Sequence, residues 1–282
     1  MKLARVVIPV LLSAACATGG AHPTAAAYDA RAALRFTIDS MVSQREFRNA
    51  HFGVLIVDPE RADTLYSLNA GKLFMPASNM KIVTGATSLV QLGPNYTYRT
   101  DFAAGGPVVH DTLDGALVVT GRGDPTISDH MRGDAMKALY NVADSLRAKG
   151  ITAIRDGIEA APDVFPDTTI GFGWSWDDLG EDYGAGVDAL YFNEGFGLAI
   201  ARGRVGMRPD SIETMPARTY PRISLDGAQP AGPDTASLHY DLDSLRMRFF
   251  ARGRLKTAAD STILVYPSQR DAYLTALREA LT

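Results

Sequence analysis

Residues 78–92, SNMKIVTGATSLVQL, constrain this chain more than any other stretch. They follow Pro76 and stop at Gly93-Pro94, the usual punctuation of a helix end. Met80, Ile82, Val83, Ala86, Leu89 and Val90 put apolar side chains on more than one side of that helix. Such a helix is expected at the centre of a domain, covered by other elements. Ser78 stands three residues before Lys81, so both share one helix face. Serine is a favoured N-cap, and a cap followed by a surface lysine is the plain reading. The other reading is chemical. A lysine on an apolar helix is desolvated, desolvation lowers its pKa, and a neutral amine beside a hydroxyl can take that hydroxyl's proton. The helix dipole adds a positive field at the same end.

The elements before this helix form a simple series. Arg31 to Arg45 carries Leu34, Phe36, Ile38, Met41 and Val42 with helical spacing. HFGVLIVDPE and DTLYSLNAG read as two strands joined by a turn at Pro59 to Ala62. Beyond residue 95 the texture becomes strand-like in YTYRTDFAAGG, GALVVTGRGDPT and ITAIRDGIEAAPDVF, with a helix near 134–148. Residues 171–202 suggest a glycine-rich aromatic loop and a hairpin. The stretch 203–237, with five prolines, reads as loop or short strands. HYDLDSLRMRFFARGRL and STILVYP return to strand, and 268–281 reads as a closing helix. No period of a repeat protein recurs.

The N-terminus, MKLARVVIPVLLSAACATGG, has two early positive charges, an apolar run from Val6 to Leu12 and then small residues, the layout of an export signal. Residues 1–16 are assigned to that signal and 17–30 to a small, flexible tether. Cys16, the sole cysteine, is placed for lipidation, the alternative being cleavage near Ala17 or Ala26. The chain is therefore expected in the periplasm or cell envelope, touching membrane only through such an anchor. A net charge of -4 without blocks of like charge gives no nucleic-acid surface.

Other chemistries find little support. His22, His51, His110, His130 and His239 sit in no G-x-S-x-G or metal-ligand spacing, so neither a His-based triad nor a metal site is expected, and no cofactor is called for. Asp177 and Asp178 follow Trp176 in what reads as a turn anchored by aromatics rather than an acid–base pair. GRGDPT, residues 121–126, lacks the Gly-Lys-Ser/Thr of a phosphate loop and makes sense as a turn, with Asp124 at its tip.

Taken together and in order, SLNAGKLFMPASNMKIVTGATSLVQLGP, VVTGRGDPT and WSWDDLGEDYGAGVDALYFNEG resemble the D-alanyl-D-alanine carboxypeptidase/endopeptidase family, the low-molecular-mass class C penicillin-binding proteins. The resemblance implies a mixed α/β (α+β) fold, a transpeptidase domain like that of penicillin-binding proteins and serine β-lactamases, with large inserted β-rich domains after the active-site helix. It implies that Ser78 is the nucleophile that forms an acyl-enzyme, Lys81 its base and Asp124 a substrate-binding residue. Peptidoglycan stem peptides and β-lactams are the implied partners. The implied division is 31–95 for the N-terminal part of the catalytic domain, 96–267 for the insertions and 268–282 for the start of the return to the catalytic domain.

The same family carries Ser-x-Asn and Lys-Thr-Gly motifs after the insertions. Here Ser67-Leu68-Asn69 comes before the nucleophile and Lys256-Thr257-Ala258 lacks the glycine, so both read as coincidences. The resemblance thus implies an incomplete catalytic domain, inactive or nearly so by itself. A non-catalytic protein that binds peptidoglycan or a partner is one alternative, and a serine β-lactamase is another.

Overall fold

The computed structural model describes residues 29–165, 168–225, 237–243 and 248–282, so the signal, Cys16, His22 and most of the tether lie outside the described residues. The chain divides at Pro94/Asn95 into two compact units.

In the first unit, helix α1 (Ala30–Val42) starts where Asp29 accepts the backbone N–H groups of Arg31 and Ala32. Strands β1 (Val54–Asp58) and β2 (Asp63–Leu68) pair antiparallel across the anticipated turn, with a bulge between Ile56 and Val57. Tyr66 of β2 donates its hydroxyl to Asp39 of α1 at 2.6 Å, and Arg31 pairs with Asp63, so the helix is fastened to the hairpin by polar contacts. Donation to that carboxylate holds the Tyr66 hydroxyl above its ordinary pKa. Helix α2 (Met80–Leu92) follows a 3-10 turn, Ala77–Asn79, and ends at Gly93 with φ 80°.

Here the structure departs from expectation. No residue of α2 is buried: Val90 is 80 % exposed, Ile82 73 % and Leu89 58 %. The apolar pattern states what this helix is suited to bury, but among the described residues nothing covers it.

The second unit holds the packed cores. Strands β3 (Asp101–Ala104), β4 (Val108–Val109), β5 (Thr112–Leu113) and β6 (Leu117–Thr120) lead to the short helix α3 (Asp129–Arg132) and the long helix α4 (Ala135–Ala148). Strands β7 (Ala153–Ile154) and β8 (Ile158–Ala160) complete two small three-stranded sheets, β4-β5-β7 and β3-β6-β8. Residues 171–202 contain 3-10 turns and one strand, β9 (Phe196–Arg202), not a hairpin. Its partners lie farther along the chain, at β10 (Ser211–Met215) and β14 (Ala259–Val265), in the order β10-β9-β14. Strands β11 (Arg222–Ser224), β12 (His239–Asp243) and β13 (Arg248–Arg252) form a fourth sheet of the unit in the order β11-β13-β12.

The chain closes with helix α5 (Gln269–Leu281), capped by Ser268. Its Tyr273 and Leu277 pack with Leu139 of α4, Val119 of β6 and Phe192 in the main core, each at most 2 % exposed. Residues 268–282, assigned from the resemblance to the return into the catalytic domain, are thus packed inside the second unit. Full burial of each large apolar side chain contributes about 1.5–3 kcal/mol. A smaller core of Ala199, Phe249 and Leu264 joins the β10-β9-β14 and β11-β13-β12 sheets. Among the described residues, no helix is long and apolar enough to cross a membrane.

Candidate active site

The segment that delivers Ser78 is positioned from the hairpin. Asn69, in the left-handed region at φ 50°, donates its side-chain amide to the Phe52 carbonyl at 2.8 Å and so ties the end of β2 back to the start of β1. That contact gives Ser67-Leu68-Asn69 a structural use. Phe74 then stacks on His51 at 5.0 Å between ring centroids, and its ring lies so close to Gly53 that a Cβ there would meet it at 2.4 Å. Gly53 is therefore required for this approach.

Two residues after Phe74 the backbone turns at Pro76, and Ala77 takes φ 44°. An alanine in that region is strained, and such strain is concentrated at functional sites. Ser78 comes next, and Lys81 Nζ donates to its Oγ at 3.1 Å. Ser78 is not an N-cap: no side chain caps either the 3-10 turn or α2. The serine hydroxyl and the lysine amine are thus in hydrogen-bond contact at the N-terminal end of α2. Both residues are exposed, so the burial expected around Lys81 is not provided by the described residues.

Asp124 belongs to the second unit. Its carboxylate accepts the Thr126 N–H at 2.9 Å, forming an Asx turn, while Gly123 adopts φ 72°. The turn is locked from below: Gly123 N–H donates to the Ala189 carbonyl at 2.8 Å, and a Cβ on Gly121 would lie 2.1 Å from the same oxygen. The anticipated turn is therefore formed, leaving one Asp124 oxygen without a hydrogen bond to the described residues.

The remaining candidates have structural partners. His130 Nδ1 lies 3.1 Å from Glu194 Oε1, which also accepts the Ser128 hydroxyl, and Ser128 Oγ accepts the His130 backbone N–H at 3.1 Å, so the imidazole faces the glutamate and the serine serves as a helix cap. His239 sits beside Asp241. Asp178 accepts the Tyr183 hydroxyl at 3.0 Å and thereby raises the pKa of that tyrosine, in keeping with a turn anchored by aromatics. Thr257 donates to the Ala259 carbonyl at 2.6 Å in a surface turn. Among the described residues no cluster of three histidine, cysteine or carboxylate side chains could hold a metal ion.

Asp188, which the sequence reading did not single out, is a buried carboxylate of the second unit. Its Oδ1 accepts the Leu190 N–H at 3.1 Å and Arg270 stands 3.8 Å away, yet burial pushes its pKa up.

The sequence profile of the D-Ala-D-Ala carboxypeptidase 3 (S13) family matches residues 34–220, which are 187 of the 282 residues. The chain belongs to that family.

Similar curated proteins carry the same name of activity. A D-alanyl-D-alanine carboxypeptidase of Actinomadura sp. (strain R39) is 32 % identical over 157 residues, 56 % of this chain and 28 % of that protein. The carboxypeptidase DacB of Haemophilus influenzae is 25 % identical over 140 residues, 50 % of this chain and 28 % of that one. The crystal structure of penicillin binding protein 4 (dacB) from Haemophilus influenzae superposes with a TM-score of 0.61 at 20 % identity, covering 81 % of this chain and 50 % of that chain. The same protein complexed with a β-lactam gives 0.54. The mixed α/β fold with β-rich insertions is that of the solved penicillin binding protein 4. The chain spans about half the length of that solved relative and about 28 % of the curated ones.

Proposed function

We propose that this chain supplies the nucleophile of a serine-type D-Ala-D-Ala carboxypeptidase that acts on peptidoglycan stem peptides. The observation that carries the reading is the 3.1 Å contact between Lys81 Nζ and Ser78 Oγ, next to a strained Ala77, in an S13 chain. In the neutral state Lys81 takes the Ser78 proton as Oγ attacks the carbonyl of the penultimate D-Ala. The amine then returns a proton to the departing D-Ala, and water releases the acyl group from Ser78. When the leaving group is a cross-linked strand instead of free D-Ala, the same steps constitute endopeptidase action. Asp124 is the residue suited to hold an amino group of the stem peptide, because its turn leaves a carboxylate oxygen without a hydrogen bond to the described residues. Export to the periplasm or envelope, with lipidation at Cys16 or cleavage beyond it, follows from the N-terminal pattern.

The 282 residues contain neither Ser-x-Asn after the nucleophile nor Lys-Thr-Gly. Loss of a single oxyanion donor costs ~10²–10³ in rate, and these elements would add one such donor and a cation for the substrate carboxylate. The chain alone is therefore expected to acylate slowly or not at all. The test is covalent labelling by a fluorescent penicillin, applied to this chain and to the chain joined to a polypeptide carrying both elements. A band on the joined protein that vanishes in Ser78→Ala and weakens strongly in Lys81→Ala is the expected result. Labelling that survives Ser78→Ala overturns the assignment.

A further inference from the structure

The second unit contains a cavity of about 1120 Å³ whose lining has an unusual pattern. Every residue from Asp260 to Gln269 contributes, and so does every residue from Leu238 to Leu242. Successive side chains of a strand point to opposite faces, so a cavity above one face would be lined by every second residue. An unbroken run means that the cavity runs alongside the strands. Among the described residues both β14 and β12 are edge strands: β14 pairs with β9 alone and β12 with β13 alone. Along the outer side of each edge, alternate N–H and C=O groups have no strand partner among the described residues, which makes an edge a template for a further strand. Trp176, 85 % exposed, stands in the lining near β14, and Ile263 and Leu242 are further exposed apolar side chains of that lining.

The charge of the groove is one-sided. Asp188, Asp241 and Asp260 line it, and no lysine or arginine does among the described residues. Asp188 and Asp241 have arginine neighbours, at 3.8 Å from Arg270 and 3.5 Å from Arg252. Asp260 is held by its backbone in the β14–β9 ladder, and its carboxylate, partly exposed, has no hydrogen bond or ion pair with the described residues.

We propose that this groove binds an extended polypeptide segment of a partner protein, added as a strand along β14, with a basic side chain paired to Asp260 and its aliphatic stem against Trp176. Main-chain hydrogen bonds to the edge give such binding its affinity, and the carboxylate gives it its preference. The proposal is independent of the chemistry at Ser78.

The chain's two tryptophans, Trp174 and Trp176, both lie in the loop beside the groove, so intrinsic fluorescence reports occupation directly. The probe is the heptapeptide TVKVTKT titrated into the full chain, with three controls: TVEVTET, TVKVTKT with N-methylated backbone amides, and free lysine amide. Expected are a saturable fluorescence change with TVKVTKT, at least tenfold weaker binding for each control, and at least tenfold weaker binding of TVKVTKT to Asp260→Asn with unchanged far-UV circular dichroism. Ser78→Ala binds like the wild type. Lack of saturation at millimolar TVKVTKT overturns the proposal, as does equal binding of the N-methylated peptide or of TVEVTET. Lysine amide binding as tightly as the heptapeptide shows a small-amine pocket and also overturns it.

Discussion

Two leucines in two helices test the contrast between the units. Leu139 in α4 is 0 % exposed and Leu89 in α2 is 58 % exposed. Leu139→Ala removes three carbons from a packed core, a transfer loss of about 2.4 kcal/mol at ~0.8 kcal/mol per methylene. The cavity left behind adds to this, so the expected cost is about 3–4 kcal/mol, inside the range of ~2–5 kcal/mol known for such truncations. Leu89→Ala loses under half of that transfer term, leaves no enclosed cavity and gains slightly in helix propensity, for a net of ~0–1 kcal/mol. With an m-value of about 2 kcal/mol per molar urea, Leu139→Ala shifts the unfolding midpoint by ~1.5–2 M and Leu89→Ala by less than ~0.5 M. The assay is urea unfolding of the whole chain. Circular dichroism at 222 nm follows all helices, and tryptophan fluorescence follows the second unit. If Leu89→Ala cost as much as Leu139→Ala, α2 would be a buried helix and the exposed-helix description would be wrong. A Leu139→Ala cost under ~1 kcal/mol would remove α4 from the core.

Two further substitutions probe the second unit. Gly121→Ala drives a methyl group into the Ala189 carbonyl and disturbs the adjacent Gly123–Ala189 hydrogen bond, so a loss of about 1–3 kcal/mol is expected in urea unfolding; an unchanged midpoint would show that the turn is not clamped there. Asp188 has its folded pKa raised above the ordinary 3.8, so the stability it contributes is present below that value and is lost as pH rises through the folded value. Asp188→Asn keeps an acceptor for the Leu190 N–H and removes the buried charge. Its melting temperature relative to wild type should be higher at pH 7 than at about pH 4, and the reverse order would contradict the burial argument.

Local patterns made much of the molecule readable. Asp29, Asp134 and Ser268 cap the helices that the apolar spacing announced, and Pro59 to Ala62 turns the hairpin as expected. Glycines with proline made the GRGDPT turn legible, because φ and rigidity are set by those residues themselves. Partners distant in sequence were not legible. Nothing within Phe196–Arg202 reveals that its neighbours are 211–215 and 259–265, so the stretch looked like half of a local hairpin. The Ser78–Lys81 pair was visible from spacing, whereas the strained Ala77 was not, since alanine carries no signal for a positive φ. The exposure of α2 was misjudged for a related reason: periodicity reports which face a helix can bury, not whether a cover is present.

The placement of α5 sets a timetable for biosynthesis. The sheet β3-β6-β8 emerges early, yet the core it shares with α4 closes only when Tyr273 and Leu277 arrive from the last helix. At a synthesis rate of ~5–20 residues per second, the roughly 120 residues between β8 and the end of α5 take on the order of ten seconds to appear. For that interval the inner faces of β6 and α4 lack the α5 side chains that cover them in the folded unit.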